Sequence, residues 1–213
     1  MKAAALAALL FLAAPSDEIT FTATSVNVAE PGVPVKIKIL RWSTDQERTP
    51  LLAALSPAPS QPVETTPAGR GRAGRGRGRG GPAAAPLTPI AAFTAALGRA
   101  PTVGYIWTSD ITGYSIKYAW HSRQADGGDR IVIASDRRLG AYTNAWKPLA
   151  AEAAAKTAAA ETDYAFTLIE LRVGPKGSLE GKTSLTSKIA VDNDARTVVL
   201  ENYAAATTSL SRR

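Results

Sequence analysis

The chain has 213 residues, 45% of them hydrophobic, and no cysteine. That length suits one domain with a sizeable core, and the missing thiols exclude cysteine nucleophiles, redox pairs, zinc-thiolate centres and lipid attachment at a cysteine. The formal charge of +7 is concentrated, because Arg70, Arg72, Arg75, Arg77 and Arg79 share one short run. Elsewhere the balance is close to neutral, so the basicity belongs to a segment and not to the folded surface.

At the N-terminus, Lys2 precedes the uncharged run Ala3 to Ala14 (AAALAALLFLAA), and small residues with a proline follow. This is the layout of a secretory signal peptide. A helix of that length spans roughly 18 Å, too short for a hydrocarbon core of about 30 Å. Residues 1–16 are therefore expected to be a leader, cut after Ser16 so that Pro15 does not become the new terminus. An apolar N-terminal helix is the alternative. Export to the periplasm or beyond follows from the first reading, with 17–213 as a single domain.

Alternation places strands next. Ile19 to Val28 begins ITFTATSV and Val35 to Arg41 reads VKIKILR, each with one wet face. Ser43 and Thr44 stand at capping-box spacing from Gln46 and Glu47 and open a helix to Leu55, with Pro50 either limiting it or marking its first turn. From Ser56 to Thr88 the composition turns to Pro, Ala, Gly and Arg, which predicts a disordered insertion. Thr88 then caps a second helix that starts at Pro89 and closes near Gly98.

Val103 to Trp107 offers a further strand. Tyr114, Ile116, Tyr118 and Trp120 alternate along another, and Ala125-Asp126-Gly127-Gly128 turns it into RIVIAS at 130–135. The alanine-rich segment 149–161, with Glu152 and Lys156 four apart, reads as a helical spacer. Strands are expected at Tyr164 to Val173, Lys182 to Val191 and Thr197 to Tyr203, the last two joined by the turn Asp192-Asn193-Asp194. The expected fold is mainly β: an antiparallel sandwich or partly open barrel of about 7–8 strands with two short helices.

The stretches ITFTATSVN, KIKILRWSTDQER, RIVIASDR and FTLIELRVGPKGSLEGKTSL resemble a family of small exported bacterial proteins of unknown function. The resemblance covers most of the chain outside the two insertions and implies no activity, ligand or catalytic residue.

Little chemistry is assembled in the sequence. His121 is the only histidine, so a triad would have to use it, with Asp126 or Asp129 as its orienting partner; no nucleophile elbow accompanies it. Asp192 and Asp194 lack the glycine and distal glutamate of a calcium loop. Glu170 shares a strand face with Tyr164, Phe166 and Leu168 and, if inward, needs Arg172 or Arg41 as a partner. Tyr114, Tyr118 and Trp120, with Trp107 and Trp42, form either core or a ligand-stacking surface. The arginines 70–79 have no interleaved aromatics, and export would remove most nucleic-acid partners. They are an inert insertion, a contact to an anionic surface or envelope component such as lipopolysaccharide or extracellular DNA, or an RNA-binding segment. No catalytic set, metal site or cofactor motif is predicted. Three functions remain: an exported, non-catalytic binding domain; a hydrolase built on a carboxylate or His121; or a polyanion binder acting through the Arg-Gly segment.

Overall fold

The computed structural model describes residues 18–56, 87–108, 113–149 and 162–212. Eight antiparallel strands close into a barrel: β1 (Ile19–Val26), β2 (Pro34–Ile39), β3 (Gly104–Trp107), β4 (Tyr114–Arg123), β5 (Asp129–Ser135), β6 (Leu168–Val173), β7 (Leu179–Thr183) and β10 (Ser209–Arg212). Neighbours in sequence are neighbours in space, except that β10 inserts between β7 and β1 and completes the ring. Between β7 and β10 the chain leaves the barrel for a separate hairpin, β8 (Ile189–Asp192) with β9 (Thr197–Leu200). Two helices, α1 (Asp45–Leu55) and α2 (Pro89–Arg99), lie between β2 and β3 in the chain.

The barrel interior is a packed core. Ala23, Val35, Ile37, Ile39, Ile106, Ile116, Ala119, Ile131, Ile133, Ile169, Leu171 and Leu210 belong to one buried apolar cluster. They come from every strand but β7, where Gly181 takes the inward place; a Cβ there would lie 2.6 Å from the Leu171 side chain. Small barrels are filled in this way by inward side chains. The segment after β5 crosses one end and adds Leu139, Ala145 and Trp146 to the same cluster. The Tyr114 hydroxyl accepts from the Gly140 amide at 3.1 Å. Gly140 itself sits at φ 78°, tight against Trp146.

A second apolar cluster lies outside the barrel. Leu51 of α1 and Phe93 and Leu97 of α2 pack with Val198 and Leu200 of β9 over Tyr118, Val132, Ala134 and Leu168. Strands β5 and β6 are therefore buried on both faces, which is why their sequences run apolar without strict alternation. Strands β1 and β2 are covered on one face only and keep the alternation. Among the described residues the barrel thus has a clothed half and a bare half.

Most expected elements are present, with four adjustments. Helix α1 continues through Pro50, whose missing N–H removes a single bond to the preceding turn; buried Leu51 beside it holds the helix in place. The run from Lys182 to Val191 is not one strand: β7 ends in the barrel at Thr183, and β8 starts at Ile189 in the outer hairpin. The strand expected from Tyr164 begins at Leu168. Strand β10 lies in a serine-rich tail whose only apolar signal is Leu210. The Ser56 to Thr88 insertion, the 149–161 spacer and the leader fall largely or wholly outside the described residues. The described residues hold no helix long and apolar enough to cross a membrane.

Candidate functional site

The aromatic face expected from Tyr114, Tyr118 and Trp120 is not one surface. A register shift between Ile116 and Tyr118 turns β4 over part-way along its length, as a bulge does by leaving one residue unpaired. Tyr114 points into the barrel, whereas Tyr118 packs in the outer cluster with Trp120 at its edge. Both tyrosines are fully buried. The Tyr118 hydroxyl meets Thr197 Oγ1 at 2.5 Å, and burial raises its pKa. The Arg48 guanidinium lies over the Trp120 ring at 5.0 Å and donates to the Arg196 carbonyl at 2.7 Å. These groups tie helix and hairpin to the barrel, with Tyr118 wholly enclosed and Trp120 half-buried.

Of the other titratable candidates, Glu170 and Asp192 are committed to the fold, whereas His121 and Asp129 lie at the surface. His121 is exposed, with its ring 4.4 Å from that of Trp42. Asp126 accepts from the Gly128 amide in the β4–β5 turn, and Asp129 faces Arg123 at 3.8 Å. Among the described residues no aspartate is hydrogen-bonded to His121 as an orienting partner of a general base would be. Glu170 is 1% exposed and lies beneath β9: it accepts from the Leu200 amide and from Arg172, each at 3.3 Å. Arg41, the other proposed partner, instead grips Glu47 through two bonds of 2.8 and 2.9 Å. Asp192 caps its turn by accepting from the Ala195 amide and pairs with Arg130 at 2.7 Å; both contacts hold its carboxyl below the usual range. Among the described residues no cluster of three or more His, Cys, Asp or Glu is placed to hold a metal ion. The arginines 70–79 lie outside the described residues.

Two concavities stand out among the described residues. One, of about 250 Å³, lies between α1 and the β8–β9 hairpin; the other, of about 200 Å³, lies along the 138–148 segment. Both fall short of the 300 Å³ or so at which small-molecule pockets begin.

Trp107 remains, and it is the one aromatic candidate that stands in solvent. It and Tyr105 alternate outward along β3, each 39% exposed, with ring centroids 5.6 Å apart and a 40° tilt between them. A Cβ at Gly113 would come within 3.2 Å of the Trp107 Nε1, so glycine leaves room for the indole. The strand register extends each ring into a row. Thr20, Lys38 and Tyr105 lie abreast on β1, β2 and β3, and Thr22, Lys36 and Trp107 lie abreast beside them. Lys36 Nζ is 6.0 Å from the Trp107 ring, and Lys38 pairs with Glu18 at 2.6 Å. Each row spans about 10 Å across the strands, and the rows repeat about 7 Å along them. The bare half of the barrel therefore carries a repeated hydroxyl, ammonium and aromatic set, and Glu18 lies at its edge.

Of this set the sequence reading singled out only Trp107. The missed signal was the GYIW alternation, whose wet side holds Tyr105 and Trp107 while Gly104 and Ile106 face inward. Compared with protein-family models, with curated proteins and with solved structures, the chain returns no match.

Proposed function

We propose that this protein is an exported, non-catalytic binding domain, periplasmic or secreted, that engages its ligand through the outer wall of β1, β2 and β3. The observation that carries the reading is the pair Tyr105 and Trp107, exposed side by side on a barrel whose other large aromatics are mostly packed away. Exposed aromatics cost hydrophobic free energy in a monomer and are the usual anchors of binding surfaces. The leader-like N-terminus and the resemblance to small exported proteins support the location. The commitment of His121, Glu170 and Asp192 to other contacts or to solvent supports a non-catalytic role.

The test combines fractionation with retention. The full chain and a Tyr105→Ser/Trp107→Ser variant are expressed, located by cell fractionation, and passed over gels carrying a neutral glycan, an acidic glycan, single-stranded DNA or anionic lipid vesicles. Both proteins are expected in the periplasm or medium with the same melting temperature, and only the parent should be retarded on at least one support. A cytoplasmic product would overturn the export reading. Equal retention of parent and variant on every support would overturn the wall as the contact surface.

A further inference from the structure

We infer that the wall binds an acidic polysaccharide, a polymer of six-membered sugar rings bearing carboxylates, with two adjacent sugar units lying across the two rows. The inference rests on the reading of β1–β3 as a binding wall and adds the class of its ligand.

Three features converge on that class. The first is repetition: Thr20–Lys38–Tyr105 and Thr22–Lys36–Trp107 are chemically the same row written twice in register. A polymer whose units repeat along one axis can meet both rows with the same contacts. A single small molecule cannot, and the exposed sheet offers no enclosure for one.

The second feature is the content of each row. An aromatic face carries negative quadrupole density that attracts the slightly positive C–H face of a sugar ring. A threonine hydroxyl both donates and accepts, matching sugar hydroxyls on either side. The ammonium between them supplies charge-assisted hydrogen bonds that only an anionic substituent uses fully. Among the described residues no carboxylate lies within salt-bridge distance of Lys36, whereas Lys38 is held by Glu18. The Trp107 row is therefore the stronger subsite, and Glu18 competes with the ligand at the Tyr105 row.

The third feature separates the ligand from other polyanions. Nucleic-acid affinity grows with the number of phosphates neutralised, and the two rows carry only two ammonium groups, one of them already paired with Glu18. Two rings tilted by 40° are also a poor staircase for successive stacked bases. A membrane surface would favour exposed aliphatic side chains, and the outward positions of β1 to β3 within the two rows hold none. The threonines, idle against phosphate or lipid, have a use against sugar hydroxyls.

The experiment is a titration of the full chain with polygalacturonate, dextran and a single-stranded oligo-dT, read by calorimetry at two salt concentrations. Trp107→Ala, Lys36→Gln and Glu18→Gln are run beside the parent, with melting curves as the control for folding. Binding of polygalacturonate is expected, weakened about tenfold or more by Trp107→Ala and by Lys36→Gln, and tightened by Glu18→Gln. Lys36→Gln should also flatten the salt dependence. Dextran bound as tightly as polygalacturonate, with Lys36→Gln silent, would overturn the acidic class yet leave the wall standing as a binding surface. Oligo-dT bound more tightly than polygalacturonate and lost in Trp107→Ala would do the same in favour of nucleic acid. No response to any probe, or responses unchanged by Trp107→Ala, would overturn the inference and the binding wall together.

Discussion

Glu47 shows how one side chain can serve two ends of a local structure. Its carboxylate accepts from the Thr44 amide to close the capping box of α1 while two bonds hold the Arg41 guanidinium. Chiefly through that arginine bond, its pKa falls from 4.5 to about 2. A carboxylate with a depressed folded-state pKa stabilises the fold fully above its unfolded value. That contribution is lost as pH falls toward the folded value. Thermal melts of the parent and of Glu47→Gln should therefore differ most above pH 5 and converge between pH 4.5 and 2. Since the Arg41 side chain is 42% exposed, screening keeps the difference well below what the shift alone implies. Thr44→Ala removes the cap itself and is expected to cost about 1 kcal/mol by denaturant titration. Glu170→Ala should cost more, roughly 1–3 kcal/mol, because it strands the buried Leu200 amide.

Between elements, the decisive device is the shift of register in β4. Period-two reading puts Tyr114, Ile116, Tyr118 and Trp120 on one face, and the bulge sends the last two outward to meet α1, α2 and β9. Nothing in SIKYAW marks a bulge, since the residue that breaks the pairing is an ordinary lysine. The helices were legible because their ends are chemical: Thr44 with Glu47, and Thr88 with Pro89, satisfy amides that no helical carbonyl can reach. The wall was half legible. Its lysines and threonines read as a wet face, but only lateral register shows that Lys36 lies beside Trp107 and Lys38 beside Tyr105. Two substitutions probe this level. Phe93→Ala, deep in the outer cluster and edge-on to Phe166, should cost about 3–5 kcal/mol through the cavity it leaves. Gly104→Ala places a Cβ 2.3 Å from the Lys38 carbonyl, against backbone that cannot swing away. It should destabilise by roughly 1–3 kcal/mol and shift the amide resonances of β2 and β3.

For the whole molecule, closure depends on four residues at the C-terminal end. Strand β10 pairs with β1 on one side and β7 on the other, and Leu210 is fully buried between them. Removing residues 209–213 would bare two strand edges at once, the condition that invites edge-to-edge association. Light scattering of the truncated chain should show concentration-dependent aggregation, whereas Leu210→Ala should remain monodisperse and lose about 2–5 kcal/mol. The sandwich and barrel alternatives could not be separated from the strands alone, because this closing strand is short and polar and resembles an ordinary tail.

The division of the barrel into a clothed and a bare half bears on how the protein can change. Every outward position on β5 and much of β4 and β6 is committed to helices or hairpin, so substitutions there must repack a second core. Among the described residues the outward positions Thr20, Thr22, Lys36, Lys38, Tyr105 and Trp107 touch no such layer; their inward neighbours Phe21, Val35, Ile37 and Ile106 hold the strands in place. Specificity can therefore drift on one side of the molecule at almost no cost to folding. The same six sites could be randomised together to display new ligand preferences on an unaltered scaffold.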